Sequence, residues 1–178
     1  MSFAVEGKAA DDAVHLNTAL TQSFDSQIHL GADGNSLPHV TIALGEADPI
    51  ALTDIVMLVD RAARNGEPFR MSFGPVARET VTGRYVLADV GIPEHVAVWR
   101  STLRAEIAEH LIGLGRTTDD PHLTVAVVDG QESAVDQFLA VRTAEPLSDC
   151  RVTHVDVAHA GPRGAKGSVI KRFVLGAG

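Results

Sequence analysis

The chain has 178 residues, 45% of them hydrophobic, one cysteine and a formal charge of −8. That length supports one ordinary core or two small lobes sharing one, and the apolar share excludes disorder. The lone cysteine excludes an internal disulfide framework, and the acidic balance argues against long DNA or RNA, whose phosphates call for a basic stripe.

Residues 2–7, SFAVEG, read as a short strand. Over 11–24, Ala13, Leu16, Leu20 and Phe24 recur at helical spacing behind Asp11 and Asp12, which predicts a helix. GADGNS at 31–36 is turn chemistry, and LPHVTIALG at 37–45 follows as a strand. Asp48 and Pro49 predict the start of a helix with a stripe of Leu52, Ile55, Val56, Val59 and Ala63, ended by Asn65 and Gly66. PFRMSFGPVARE at 68–79 reads as a strand. The order then recurs: a strand at 84–91, then a helix over 93–115 with Trp99, Leu103, Ile107, Leu111 and Leu114 on one side. DPHLTVAVV at 120–128 is the next strand, and a helix from 133 to 142 follows. Two strands, 150–160 and 168–176, close the chain. No apolar run approaches the roughly 20 residues of a membrane helix. The opening MSFAVEGKAADD lacks the basic start and apolar run of a signal peptide. The expectation is a soluble, cytoplasmic protein without a membrane partner, monomeric by default.

The two middle strands share a motif, PHVTI at 38–42 and PHLTV at 121–125. Their histidines are 122 − 39 = 83 residues apart, and the same shift sets Val5 against Ala88 and Asp11 against Glu94. A strand, helix, His-Thr strand, helix, strand unit written twice predicts an α+β fold. Its halves, about 1–83 and 84–178, pack as a single pseudo-symmetric domain. Alternate side chains of a strand share a face, so His39 and Thr41 point one way, about 6.6 Å apart along the backbone. His122 and Thr124 repeat the pair. A hydroxyl can donate to a phosphate oxygen while an imidazole moves a proton. Two such pairs across a cleft supply the base and the acid that phosphodiester hydrolysis needs.

PHVTI and PHLTV resemble the two His-x-Thr-x motifs of the 2H phosphoesterase superfamily, which includes the 2′-5′ RNA ligase-like proteins and cyclic nucleotide phosphodiesterases. The resemblance covers most of the chain in motif spacing, length and order of elements. It implies a two-lobed fold, each lobe an antiparallel sheet backed by helices, with the motif strands lining a groove between the lobes. It implies His39 and His122 as the acid–base pair, in an order it leaves open, and Thr41 and Thr124 as phosphate clamps. It also implies no cofactor and no metal, with a small nucleotide or an RNA end bearing a cyclic phosphate as substrate. Metal-independent hydrolysis is the favoured reading, because both motifs are intact. The alternatives are 2′-5′ end-joining of RNA and a silent nucleotide-binding module. Relatives often carry a tyrosine in the C-terminal strand region. Here AKGSVIKRFVLG has none, the only tyrosine is Tyr85, and Phe173 reads as core.

The remaining candidates have plainer readings. Lys166, Lys171 and Arg172 form a modest basic cluster with Arg163 and read as a solvated strand edge. If that strand borders the groove, Lys166 and Lys171 become possible substrate contacts. His154 and His159 are five apart on one predicted strand, face opposite ways and cannot chelate one ion together. His15, His29, His95 and His110 read as surface, and Cys150 as an inert core thiol.

Overall fold

A computed structural model describes residues 1–114, 120–142 and 146–177. In chain order the elements are β1 (Ser2–Ala4), α1 (Lys8–Ser23), β2 (His39–Thr41), β3 (Gly45–Glu46), α2 (Pro49–Asn65), β4 (Phe69–Arg78) and β5 (Tyr85–Gly91). There follow α3 (Glu94–Ala108), β6 (Ile112–Leu114), β7 (His122–Val127), α4 (Glu132–Arg142), β8 (Cys150–Val152), β9 (His154–Ala160) and β10 (Lys166–Val174). The α+β mixture is the expected one. Asp48 caps α2 as its sequence requires, accepting from the N–H groups of Ile50 and Ala51 at 2.9 and 2.8 Å, with Pro49 in the first turn. No helix among the described residues is long and apolar enough to cross a membrane.

Two expected boundaries move. The helix predicted over 93–115 stops at Ala108. Leu111 still packs against the core, but Ile112–Leu114 leave the helix and pair with β3. Gly113 is a poor helix former, and the strand pairing gives this backbone other hydrogen-bond partners; Gly115 lies outside the described residues. The strand predicted over 150–160 is divided at Thr153 into β8 and β9, which pair in different parts of the sheet.

Eight strands hydrogen-bond in the order β10-β9-β1-β2-β7-β5-β4-β8, and every pairing between them is antiparallel. Outward from the β2–β7 junction, each side presents a His-Thr strand, a leading strand and two flanking strands. β1 is flanked by β9 and β10 from the far end of the chain, whereas β5 is flanked by β4, the strand just before it, and then by β8. β8 ends the order on one side and β9 is next to last on the other, yet only Thr153 separates them. The sheet must therefore curl until its two ends approach. Phe69 of β4 accordingly meets the ring of Phe3 of β1 edge-on at 5.1 Å. Phe3, Val40, Leu123 and Ala88 form one fully buried row across β1, β2, β7 and β5. Burying such a row is what pins the strand register, because a slip of one residue would turn these side chains to the opposite face.

The register also corrects the internal alignment. Ala4 stands across from His39 and Asp89 across from His122. Val5 and Val90 donate to the carbonyls of Pro38 and Pro121 at 3.2 and 3.1 Å. Equivalent residues of the leading strands are thus 89 − 4 = 85 apart, and Val5 is matched by Val90 instead of Ala88.

On α1 the buried face includes Asn17, while Leu16, which the stripe placed inside, is only half-buried. The Asn17 amide donates to the carbonyls of Ile28 and Val125 at 2.9 and 2.8 Å, and its Oδ1 accepts from the N–H of Leu30 at 2.8 Å. This side chain ties helix and loop to β7, the second His-Thr strand. Asn17→Leu would take the acceptor from the Leu30 N–H and a donor from the Val125 carbonyl, each loss costing about 1–3 kcal/mol, while Ile28 O keeps its bond from Ser26 Oγ at 3.0 Å. Urea unfolding should show a loss of at least about 2 kcal/mol; a loss near zero would mean that water reaches these groups.

Candidate functional site

Val40 pairs with Leu123 across β2 and β7. Because neighbours on antiparallel strands share a face, this register sets His39 opposite Thr124 and Thr41 opposite His122. The four side chains stand at the corners of a small rectangle, with the histidines on one diagonal, and all four are half-buried. Directly opposed residues in such a pair are about 5 Å apart and diagonal ones about 7–8 Å. Two imidazoles converging from that diagonal span one phosphate group.

The prolines of the motifs have a visible role. Pro38 and Pro121 hold their own φ and bias the residue before them toward extended backbone. In both copies the carbonyl two residues ahead of the histidine then meets its ring. His39 Nδ1–H donates to Leu37 O at 2.8 Å, and His122 Nδ1–H donates to Asp120 O at 3.1 Å. A carbonyl only accepts, so Nδ1 carries the proton in each ring and Nε2 is the basic nitrogen.

His39 lines a groove of about 110 Å³ together with Ser2, Thr41, Leu52, Ile55 and Lys166. Burial pushes its imidazole down to about 4; the charges of Lys166 and the Met1 amino group push the same way, and the Leu37 carbonyl pulls against them. His39 is therefore neutral at pH 7. The expectation that Lys166 is solvated does not hold. Its ammonium is buried, 2.6 Å from Asp156 Oδ2. Asp156 is fully buried and also takes a fork from Arg172, Nε to Oδ1 at 2.8 Å and Nη2 to Oδ2 at 2.9 Å. Burial by itself would raise this carboxyl, but the hydrogen bonds from Arg172 and Lys166 outweigh it and hold the group below the usual carboxylate range. Ser2 stands across from both Asp156 and Thr41, which places the charge cluster on the face of the motif side chains.

Lys171 is not part of this groove; its ammonium sits 5.0 Å over the ring of Phe173, which is buried as expected. His159 is exposed on β9, and His154 Nδ1 meets the Thr153 hydroxyl at 2.7 Å. His15, His29 and His95 are exposed, whereas His110 is half-buried and faces Asp54 at 3.9 Å. The Cys150 thiol is buried, and burial pushes it up to about 11. Two charged residues beside the site escaped the sequence reading. Arg100, buried on α3, donates from Nη2 to the carbonyl of Thr41 at 3.3 Å. Its signal was an arginine inside the stripe of Val96, Leu103 and Ile107. Asp156 had the same kind of signal, a carboxylate between the buried Val155 and Val157.

A comparison with curated proteins gives no match. Among solved structures, the chain is similar to TT0787 of Thermus thermophilus, with a TM-score of 0.61 and 20% identity, covering 98% of this chain and 96% of that one. It is similar to a phosphoesterase at a TM-score of 0.67 and 17% identity, over 98% and 95% of the two chains. E. coli LigT complexed with 3′-AMP gives a TM-score of 0.65 and 19% identity, again over 98% and 95%. At these identities the likeness speaks for the fold. The family comparison matches residues 21–161 to the 2′-5′ RNA ligase superfamily. That span takes in both His-Thr strands and most of the chain, and the protein belongs to the 2′-5′ RNA ligase superfamily of phosphoesterases.

Proposed function

We propose that this chain is a metal-independent phosphodiesterase that hydrolyses a 2′,3′-cyclic phosphate, or a related phosphodiester of a nucleotide or RNA end. The observation that carries this reading is the rectangle of His39, Thr124, Thr41 and His122 on one face of two paired strands, each ring aimed by a carbonyl through Nδ1. One Nε2 takes a proton from water as the water oxygen bonds to phosphorus. The other imidazole, protonated, gives its proton to the ribose oxygen as the P–O bond breaks. The Thr41 and Thr124 hydroxyls donate to non-bridging oxygens. The matching bonds to Pro38 and Pro121 support a single domain of two pseudo-symmetric halves. That LigT is seen with 3′-AMP, with phosphate and with ATP supports a small nucleotide as the ligand class.

The test is turnover of the four 2′,3′-cyclic nucleoside monophosphates in the presence of EDTA. Turnover that persists in the chelator supports the reading; turnover abolished by chelation and restored by added metal defeats its metal-free part. No turnover with saturable nucleotide binding would favour a silent binding module. Acceptance of an RNA 2′-5′ end pair as substrate would favour end-joining, the reverse reaction on the same histidines.

A further inference from the structure

We propose that Lys166, locked in place by Asp156, is a positioning residue for His39: its main chain aims the imidazole, and its buried ammonium disfavours a second positive charge beside it. The inference rests on the acid–base reading above only for its kinetic consequences. The aiming arm is a continuous relay. The Lys166 N–H donates to Ser36 Oγ at 3.0 Å, the Leu37 N–H donates to Lys166 O at 3.2 Å, and Leu37 O accepts from His39 Nδ1–H at 2.8 Å. β10 therefore holds the residue that holds the ring.

The electrostatic arm follows from what surrounds His39. On β2's neighbours the facing residues are Ala4 of β1 and Thr124 of β7, both uncharged, with His122 on the diagonal. The charged groups are Lys166 of β10 in the same groove wall, Asp156 of β9 behind it, and Arg172 with its partner Glu6 on the far side; His159 of β9 and the Met1 amino group, which burial pushes down to about 6, are the other titratable groups lining the groove. Arg172 also donates from Nη1 to Glu6 Oε1 at 2.7 Å, so two cations share two carboxylates, and the member of the cluster that lines the groove with His39 is the Lys166 ammonium. The fork from Arg172 also fixes Asp156, so Lys166 cannot swing away without abandoning a buried carboxylate. A ring with Nδ1–H engaged and Nε2 unprotonated is the form a general base starts from. On the hydrolytic reading, this gives His39 the base role and leaves the acid to His122.

The experiment follows the His39 ring by NMR titration of the ligand-free full chain, with His39→Gln assigning the signal. Lys166→Gln keeps a donor for Asp156 but removes the charge. Its titration midpoint should rise by about 1 or more, Lys166→Arg should restore it, and the acid limb of kcat/KM should move with it. Ser36→Ala tests the aiming arm separately and should lower kcat several-fold with KM and the midpoint little changed. It also keeps the test decisive should Lys166→Gln fail to fold. An unmoved midpoint with a raised KM would overturn the proposal in favour of direct phosphate contact by Lys166. An unmoved midpoint with only a lower Tm would overturn it in favour of a purely structural lysine. If the wild-type chain turns over no cyclic phosphate, the hydrolytic reading fails while the titration still decides the role of Lys166.

Discussion

His39→Ala and His122→Ala should each lose about 10²- to 10⁴-fold of the turnover of a 2′,3′-cyclic nucleotide, the usual effect of deleting a positioned proton-transfer group. Circular dichroism and the unfolding transition should stay near wild type, since both rings are half-buried and each is held through Nδ1 by a carbonyl of its own strand entry. Because the two rings act in one transition state, the double variant should be little worse than the poorer single one. The threonines set a useful contrast. Thr41→Val and Thr124→Val each remove a hydrogen bond to a charged oxygen, worth about 1.5–3 kcal/mol, or about 10- to 100-fold in rate. A histidine variant turning over at near-wild-type rate would exclude that ring from the chemistry. A valine variant as damaging as the histidine ones would mean that the hydroxyl moves a proton.

Acidification should destabilise the wild-type chain through His39 in particular. In the native state the ring holds no proton until about pH 4, because burial and the Lys166 charge disfavour the imidazolium. In the unfolded chain it titrates near the ordinary histidine value, about 6.5. Between those values the unfolded state binds a proton that the native state does not, so stability falls as pH drops through this window. At pH 4.5 the loss relative to pH 7.5 comes to about 2.5 kcal/mol from this group alone. His39→Gln cannot titrate and should lack that increment. Urea unfolding of both proteins at the two pH values cancels the carboxylates they share. A difference of differences near zero would mean that the ring protonates freely in the native state and that its pocket is wet.

The shared face of each histidine and its threonine was legible in the chain because two short-range rules write it directly. A strand alternates its side chains, so His-x-Thr puts both groups on one face, and a preceding proline enforces the extended backbone that brings a carbonyl to Nδ1. Asp48 and Pro49 announced α2 for the same reason, since a capped start is a local interaction. Period-2 logic also explains the one misalignment. Ala88 and Val90 lie on the same face of β5, so a shift of two residues leaves every hydrophobic match intact, and only the pairing to His122 tells them apart. The division of residues 150–160 at Thr153 was invisible locally, because both parts read as strand. What separates them is which distant strand each one meets, β4 or β1.

Lys166 marks the limit most clearly. In the sequence it is a lysine near a chain end, and lysines are rarely buried unless paired. Its partner is ten residues away on the next strand, and the hairpin turn that joins them decides that both face inward beside His39. By itself the sequence determined the chemical groups, their face on each strand and the doubling of the motif, since these depend on neighbours in the chain. The tertiary structure alone decided the pairing of β2 with β7, which puts the histidines on one diagonal, and the burial of Asp156, Lys166 and Arg100. Those outcomes depend on long-range register and on exclusion of water from the curled sheet, and no local pattern encodes either.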